Sequence, residues 1–332
     1  MTVAALTSGL QFSSIDDYLG PGASRFFGSG YRRVSYGWHD FEVGGPGDSH
    51  VRAAASVSYP TDWSKKRDAV QLRPHLSTID AMILGTRSAE LCLVRRHGLD
   101  LRQRRAAWLR KLEINAAATP YEDGLDKLPV EAKLNTTLQA HDGMDRWMSS
   151  FDCRVANMKV RCEIEHELPD HGDSGRIVAD IGSRGLYGEG YRHPSQAIED
   201  ITIHLSDERA EAVVRVDVGC RETALGEGLE AYYRPSVSAI DSFVVSLQLG
   251  QVLLYELDGM TRVNSNTLWM RHTSITTDTP YRPADRPFAV EVHLEDSRLV
   301  NLRDATWRTA TIVGETQGVR TRCAVAHQLS VH

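Results

Sequence analysis

Two aspartates occupy matching places in two nearly identical segments of the chain. The segment RPHLSTID ends at Asp80 and the segment RPSVSAID ends at Asp241, with five of the eight positions identical. Each aspartate follows a serine by three residues and precedes a long apolar stretch, which predicts the first turn of a buried helix. A carboxylate there can act as a general base, and the helix N–H groups can hold an oxyanion. The same spacing is that of a capping box, so capping without catalysis is the alternative hypothesis.

Residues near these aspartates supply further candidates. His75 occurs only in the first segment, where the second has Ser236, and it is the leading candidate for an additional acid or base. Arginines and aromatic residues recur at equivalent positions, where they could hold phosphopantetheine or sugar oxygens, or line a pocket. The predicted substrate-binding residues are Arg73, Arg234, Arg110, Arg271, Tyr31, Tyr191, Trp108 and Trp269. For the arginines, ion pairs that fix the framework are the favoured alternative, and for Arg110 and Arg271 either Asp80 or Asp241 is a possible partner.

The two segments belong to an internal repeat. A shift of 161 residues aligns them and, without a gap, the apolar stretches that follow. A shift of 160 aligns Phe27–Arg32 (FGSGYR) with Tyr187–Arg192 (YGEGYR). We therefore predict two copies of one fold, residues 13–168 and 174–329, joined by a turn-rich linker at Pro169–Gly175. Two copies are too few for a solenoid, and a pseudo-dimer is the expected arrangement.

Each copy is predicted to contain the same order of elements. An alternating strand comes first, then a helix at residues 77–97 or 238–257 that is apolar on almost every side, and then several antiparallel strands. Such a helix must be wrapped by a curved sheet rather than covered on one face. The predicted fold is therefore α+β, a double hotdog. The first strands are predicted at His50–Tyr59 and Ala212–Cys220, and the later ones at 108–114, 130–140, 151–168, 288–295 and 304–329.

Period-two alternation makes specific predictions for the later strands. It places Trp108, Arg110 and Leu112 on one face of their strand. It also places His166 and His327 on the apolar face of the last strand of each copy, where a core role is favoured over that of a base.

Composition excludes several classes of protein. The net charge is −6 and no long basic run occurs, so we expect no nucleic-acid partner. Five cysteines, an odd number with no CxxC pair, indicate neither a zinc site nor a disulfide framework and fit a reducing cytoplasm. The N-terminus lacks the features of a secretory signal, and the apolar stretch Ile240–Leu257 carries polar residues typical of a buried helix rather than a membrane span. We expect no metal or redox cofactor.

The segment SIDDYLGPGASRFFGSGYRRV at Ser14–Val34 resembles the opening of the avirulence D (AvrD) family, and the similarity extends along most of the chain. This resemblance implies an enzyme that makes acyl-sugar signals of the syringolide kind. The expected donor is a 3-oxoacyl thioester on an acyl carrier protein or coenzyme A, and the expected acceptor is a ketose such as xylulose. More distantly, the chain is similar to A-factor-type γ-butyrolactone synthases, which look like double hotdogs and use dihydroxyacetone phosphate.

A local resemblance suggests an alternative reaction. The stretch Ile79–Met82 (IDAM) is similar to the start of the central helix in hotdog acyl dehydratases. Those enzymes carry an upstream histidine, whereas the comparable region here is Tyr59–Trp63 (YPTDW), which counts against dehydration. The hypotheses are therefore a condensing acyltransferase that forms a butenolide-type precursor, a hotdog thioesterase or dehydratase, and a non-catalytic acyl-ligand binding protein. Either a monomeric pseudo-dimer or a homodimer is compatible with the repeat.

Overall fold

The fold is one large antiparallel sheet with two long helices. The computed structural model describes residues 9–43, 48–63, 73–140, 145–169, 184–219, 226–265, 267–302 and 305–329. The first part of the chain contains β1 (Leu10–Ser14), α1 (Ile15–Leu19), β2 (Ser35–Val43), β3 (His50–Ser58), α2 (Thr78–His97), α3 (Leu101–Ala106), β4 (Trp108–Asn115), β5 (Leu128–Gln139), β6 (Trp147–Val155) and β7 (Met158–His166). The second part contains β8 (Ser195–His204), β9 (Arg209–Asp217), α4 (Ala239–Leu257), β10 (Trp269–Thr277), β11 (Phe288–Leu302), β12 (Ala305–Thr316) and β13 (Val319–Gln328).

The order of strands repeats in mirror image about the centre of the sheet. Within the described residues, 13 strands form a single sheet in the order β1-β8-β9-β11-β12-β13-β10-β4-β7-β6-β5-β3-β2. The two halves meet where β4 pairs with β10, with Leu112 opposite Ile275. Strands β5, β6 and β7 pack on α2, and strands β11, β12 and β13 pack on α4. Each half is thus a helix wrapped by its own strands, and the predicted double hotdog is confirmed.

The boundaries of the predicted repeats, 13–168 and 174–329, stay a prediction. The linker predicted at Pro169–Gly175 lies outside the described residues after its first residue, and so does Cys220 at the end of a predicted strand. The beginning of the chain lies with the second half. Strand β1 forms the edge of the sheet and pairs with β8, with Leu10 opposite Ile203, and α1 packs against α4.

The two central helices begin and end as the sequence predicts. Ser77 caps α2 and Ser238 caps α4, and in each case the aspartate three residues later completes a capping box. Gly98 ends α2 in the left-handed conformation with φ 69°, which costs glycine less than other residues. By length and composition α4 could cross a membrane, but 83% of its most apolar window is buried inside the protein. It is therefore the core helix of its half.

The predicted alternation of β4 is wrong at Arg110. A β-bulge between Leu109 and Lys111 inserts Arg110 as an extra residue in the pairing with β7. The bulge reverses the alternation, so Leu109 lies opposite Ile164 and joins Leu112 on the core face. Arg110 is consequently half-buried rather than directed into the core.

Candidate active site

The Asp80 carboxylate lies at the start of α2 and is surrounded by donors. Its Oδ1 accepts a hydrogen bond of 2.7 Å from the Tyr36 hydroxyl. Its Oδ2 accepts one of 2.6 Å from the Ser77 backbone N–H and contacts the Tyr59 hydroxyl. The Tyr59 oxygen also lies 2.7 Å from the carbonyl oxygen of His75. Because a hydroxyl carries one proton, Tyr59 donates to one of these two acceptors at a time.

Burial controls the protonation of this cluster. Asp80 is 0% exposed, and burial raises the pKa of its carboxyl group, although the hydrogen bonds from Tyr59, Ser77 and Tyr36 oppose that rise. Burial, with the nearby Asp80 charge, holds the pKa values of Tyr36 and Tyr59 well above their usual range. Both tyrosines therefore stay protonated at neutral pH and serve as donors.

Asp241 occupies the equivalent place in the second half with different partners. Its Oδ2 accepts hydrogen bonds from the Ser238 backbone N–H at 2.9 Å and from the Ser238 hydroxyl at 2.6 Å. Its Oδ1 accepts one of 2.5 Å from the amide of Gln196. In the first half, Tyr36 of β2 lies opposite Val57 of β3. In the second half, Gln196 of β8 lies opposite Val216 of β9, so Gln196 occupies the position equivalent to Tyr36.

The register of the strands also shows what replaces the second tyrosine. Tyr59 lies two residues after Val57, and the residue two places after Val216 is Val218. The second half therefore has no hydroxyl at this position. The two aspartates share a capping geometry, but only Asp80 contacts a pair of tyrosine hydroxyls.

A cavity of about 160 Å³ lies between the two halves. The first half contributes Arg25–Phe27 and His75–Thr78 to its wall, and the second half contributes Gln251, Tyr255, Arg262 and Thr267–Met270. Further wall residues are Trp63, Ala116, Ala117, Thr119, Pro120 and Met158. The cavity therefore joins the start of α2 to the C-terminal part of α4 and is mainly apolar between them.

Asp80 lies one layer behind this cavity wall. It is hydrogen-bonded to Ser77, which lines the cavity, and it contacts Tyr59, whose ring lies 5.3 Å from that of Trp63. The His75 ring lines the cavity and meets Trp63 edge-on at 5.7 Å. A ligand in the cavity would touch His75 and Thr78, whereas Asp80 would act on it through its neighbours.

Besides Asp80, the structure brings two of the predicted residues to this region. His75 and Trp269 line the cavity. Trp108 does not line the cavity. It is buried in β4, and the Arg110 guanidinium lies 4.8 Å from the centre of its ring. Arg110 pairs with Glu165 at 3.1 Å, so the expectation that an aspartate of the pair Asp80 and Asp241 would be its partner is wrong.

The other predicted arginines have structural partners. Arg73 is 61% exposed and pairs with Glu122 and Asp123 on the surface. Arg234 donates to the carbonyl oxygen of Ser236 at 3.0 Å, and Arg271 donates to that of Ala117 at 2.8 Å. None of the three lines the cavity, and their role in substrate binding stays a prediction.

The two Gly-Tyr-Arg blocks meet each other between the halves. Arg32 donates to the carbonyl oxygen of Pro194 at 2.7 Å, and Arg192 donates to that of Val34 at 2.5 Å, which is the equivalent contact in the opposite direction. The rings of Tyr31 and Tyr191 stack between them at 6.3 Å. These tyrosines are nearly fully buried and hold the halves together rather than line the cavity.

The two late-strand histidines are buried and hydrogen-bonded. His166 contacts the Ser149 hydroxyl at 2.8 Å and the Glu167 carbonyl oxygen at 2.9 Å. Burial lowers the pKa of His166 to about 4, so it is neutral at physiological pH. His327 contacts Asp258 at 2.9 Å. Both are core residues, as the alternation of their strands predicts.

The residues of this region that the sequence did not predict are Tyr36, Tyr59 and the cavity arginines Arg25 and Arg262. The signal for Tyr36 was present, because the 160-residue shift that aligns Tyr31 with Tyr191 also aligns Tyr36 with Gln196. No comparable signal marks Arg25 or Arg262.

The fold and the site define a double-hotdog protein with a buried acid at the start of one central helix and a cavity beside it. The chain belongs to the AvrD family, because the family model described as Pseudomonas avirulence D protein (AvrD) matches residues 10–330. Among curated proteins, none matches this chain.

Solved structures of similar shape are remote in sequence. A tesB protein of Mycobacterium avium subsp. paratuberculosis is 10% identical with a TM-score of 0.38, covering 88% of this chain and 96% of that one. An acyl-CoA thioesterase II, TesB2, of Mycobacterium marinum is 10% identical with a TM-score of 0.37 over 88% and 96%. A variant of the PpsC dehydratase domain of Mycobacterium tuberculosis is 8% identical with a TM-score of 0.35 over 89% and 98%.

Proposed function

We propose that this protein is a condensing acyltransferase that joins a 3-oxoacyl thioester to a hydroxyl group of a small ketose such as xylulose. Membership of the AvrD family supports this assignment, since that family is linked to acyl-sugar signals. The observation that carries it is the cavity bounded by His75 and Thr78 at the start of α2, where the cavity residue Ser77 is hydrogen-bonded to Asp80. The product is the ester precursor of a butenolide-type signal.

The cavity suits an acyl thioester donor. Phe27, Leu268 and Met270 give it an apolar wall that can bury an acyl chain, and the ring of Trp269 extends that wall. The thioester would arrive on the phosphopantetheine arm of an acyl carrier protein or on coenzyme A. No other cofactor is part of the proposed reaction.

We assign the proton transfer of this reaction to His75. This residue lines the cavity, where its ring would take the proton of the acceptor hydroxyl as the oxygen attacks the thioester carbonyl. The tetrahedral oxyanion then collapses to the ester, the carbon–sulfur bond breaks, and the thiolate takes the proton back from His75. The backbone N–H group of Thr78, a cavity residue in the first turn of α2, has no partner within the helical pattern and would hold the oxyanion.

Asp80 serves as a positioning residue in this scheme. It fixes the Ser77 backbone N–H, and through Tyr59 it is connected to the carbonyl oxygen of His75. Asp241 has neither connection, and neither it nor Gln196 lines the cavity. We assign the working site to the first half and a framework role to the equivalent part of the second.

The setting of the enzyme follows from the same scheme. Coenzyme A and carrier-protein thioesters are cytoplasmic substrates, and the four described cysteines, Cys92, Cys153, Cys162 and Cys323, are free and buried, as a reducing compartment allows. In this proposal the protein acts as a monomer whose two halves form a pseudo-dimer, and it has no nucleic-acid or membrane partner.

The decisive experiment follows the thiol and the acyl group. Purified protein is mixed with a 3-oxoacyl-coenzyme A, with and without xylulose, and the products are followed by mass spectrometry. Thiol release that requires xylulose and yields the ester supports the proposal. Release without an acceptor would identify a thioesterase, and tight binding without turnover would identify a binding protein.

A matched pair of histidine variants tests the assigned site. His75→Gln should lower kcat by roughly 100-fold, as expected for loss of a general base. His204→Gln changes a histidine of β8 that does not line the cavity, and it should leave turnover unchanged.

A further inference from the structure

The internal repeat leads to the expectation of a second cavity. The first cavity lies between the start of α2 and the C-terminal part of α4, so the two-fold relation of the halves should place an equivalent space between the start of α4 and the C-terminal part of α2. The shift of 161 residues relates the wall residue Gln251 to Glu90. The same shift relates His75–Thr78 to residues 236–239, and Thr267–Met270 to residues 106–109.

The residues at the equivalent place are more deeply buried than those of the first cavity. At the wall of the first cavity, His75, Gln251 and Trp269 are half-buried. At the equivalent place the corresponding residues are at most 3% exposed, namely Ser236, Glu90 and Trp108. Other side chains therefore occupy the space that the first cavity leaves open.

Arg282 is one of the side chains that occupy this space. It is 0% exposed, and each of its three guanidinium nitrogens donates a hydrogen bond of 2.6 Å. Nε donates to the carbonyl oxygen of Val237, Nη1 donates to that of Thr279, and Nη2 donates to the carboxylate of Glu230. Val237 is the counterpart of Leu76, which lines the first cavity.

The first half has no arginine at this position. The backbone N–H of Val237 donates to the carbonyl oxygen of Arg282 at 2.8 Å, and that of Leu76 donates to the carbonyl oxygen of Tyr121 at 2.9 Å. Tyr121 is therefore the counterpart of Arg282, and it does not line the cavity. The first half thus lacks the side chain that fills the equivalent space.

Glu230 completes the filling of this space. Its side chain is 2% exposed, and its Oε1 accepts hydrogen bonds of 3.3 Å from the Leu109 backbone N–H and from the Tyr187 hydroxyl. Leu109 is the counterpart of the wall residue Met270, and Tyr187 is the counterpart of the wall residue Phe27. The hydroxyl that distinguishes Tyr187 from Phe27 is thus the group that binds Glu230.

Arg282 and Glu230 together form a stable plug. Burying a charge is unfavourable unless it is paired and hydrogen-bonded, and here the two charges are paired with each other and have additional partners. A ligand that displaced one of the two side chains would leave the other charge buried and unpaired. The space therefore stays closed in the native protein.

We propose that Arg282 and Glu230 close a second acyl pocket, so that each chain binds one acyl thioester although its fold contains two equivalent places. This rests on the proposed function, which supplies the class of ligand. The counterparts of the wall residues beside the plug include Trp108 and Leu109, which would give an opened pocket an apolar wall for an acyl chain. Ser236 is the counterpart of His75, so an opened pocket would bind the donor without transferring its acyl group.

The number of ligands bound tests the proposal in the native protein. The ligand is the thioether analogue of a 3-oxoacyl-coenzyme A, which cannot lose its acyl group. Calorimetric titration of the full chain gives the number of molecules bound. The wild-type protein should bind one molecule per chain, and two molecules per chain would overturn the proposal.

Two double variants change the plug in opposite ways. The filled variant, Glu230→Leu with Arg282→Met, replaces the ion pair by apolar side chains of similar size, a change that proteins often tolerate without loss of stability. It should bind one molecule, as the wild type does. The open variant, Glu230→Ala with Arg282→Ala, removes both charges and most of the side-chain volume, and it should bind two. Neither residue lines the first cavity, so kcat per chain should stay within about two-fold of the wild type in both variants.

A simpler ligand makes the result independent of the proposed reaction. Octanoyl-N-acetylcysteamine is an apolar thioester that carries neither the coenzyme nor a 3-oxo group. The open variant, once circular dichroism shows that it is folded, should bind one equivalent more of this ligand than the filled variant. If the open variant does not fold, Glu230→Ala with Arg282→Met takes its place, since it removes the volume of one side chain only.

The possible results separate the two proposals. Equal numbers of bound ligands in the folded open variant and the filled variant would show that Arg282 and Glu230 close no pocket. If the wild type binds no 3-oxoacyl ligand while the two variants still differ by one equivalent, the proposed function alone is rejected.

Discussion

The Tyr36 hydroxyl donates a 2.7 Å hydrogen bond to the carboxylate of Asp80, deep inside the first half of the sheet. At the same place in the second half, the amide of Gln196 donates to Asp241. Both arrangements preserve the helix cap, so capping alone accounts for the presence of an aspartate in both halves. Capping does not account for the tyrosine pair around Asp80, and that difference makes the two halves experimentally separable.

Asparagine substitutions should distinguish positioning from capping. Asp80 and Asp241 complete their capping boxes by accepting a hydrogen bond from the backbone N–H of Ser77 or Ser238, and the side-chain oxygen of asparagine can accept the same bond, so Asp80→Asn and Asp241→Asn should both retain the helix cap. In Asp80→Asn an NH2 group replaces one of the two carboxylate oxygens that accept from the hydroxyls of Tyr36 and Tyr59, and kcat should fall roughly 10- to 100-fold through misplacement of the reacting groups. KM for the donor should change little, because Asp80 does not line the cavity.

The matched variant supplies the control for this experiment. Asp241→Asn should keep kcat within about two-fold of the wild type, since its neighbours do not reach the cavity. Equal losses of kcat in both variants would show that the two aspartates have the same role and would contradict assignment of the working site to the first half.

Loss of the Tyr59 hydroxyl should weaken both stability and turnover. In Tyr59→Phe the Asp80 carboxylate loses one donor, and the His75 carbonyl oxygen loses its contact with the hydroxyl. The free energy of unfolding should fall by about 1–2 kcal/mol, measured by urea denaturation. The loss of kcat should exceed the loss of folded protein, and kcat should not recover at low temperature, where the variant is fully folded. Recovery there would indicate a structural role alone.

The elements that the sequence predicts well are those with local signals. The capped starts of α2 and α4 and the left-handed Gly98 depend on residues within one turn of the helix, so Ser77, Asp80 and Gly98 mark them directly. The repeat itself is visible because both copies keep these signals at one offset.

What escaped prediction depends on contacts between distant segments. Tyr36 and Tyr59 converge on Asp80 only because β2 and β3 are antiparallel neighbours that share a register, with Tyr36 opposite Val57. The pairing of β1 with the second half has no local signal, since its five residues could extend any exposed edge. The bulge at Arg110 likewise depends on the partner strand β7 rather than on its own sequence.

A methyl group at Gly30 should disturb the cavity wall. A Cβ atom there would lie 2.6 Å from the carbonyl oxygen of Trp63, whose ring forms part of the wall. Gly30→Ala should therefore displace the Trp63 backbone, cost about 1–3 kcal/mol of stability, and raise KM for the donor. Gly22→Ala is the matched control, because its Cβ would meet no atom closer than 3.6 Å. A normal KM in Gly30→Ala would show that the position of Trp63 does not shape donor binding.

Acid should destabilise the protein through its buried histidines. Burial lowers the pKa of His166 from 6.5 to about 4, and that of His97, whose ring lies 5.2 Å away, also falls to about 4. Between pH 6.5 and about 4, His166 is protonated in the unfolded chain but neutral in the folded chain. The free energy of unfolding should therefore fall as the pH decreases from about 6.5 to 4, by roughly 3 kcal/mol for His166 once the loss is complete.

Removing the titrating group should flatten this pH dependence. His166→Gln can keep a hydrogen bond to the Ser149 hydroxyl but binds no proton, so the slope of unfolding free energy against pH between 6.5 and 4 should decrease by the share of one histidine. Urea denaturation at half-unit pH intervals measures both slopes, and His97 should account for part of the slope that remains. A curve that is only displaced in parallel, with its slope unchanged, would show that His166 keeps its proton on folding and would contradict its assignment as a neutral core residue.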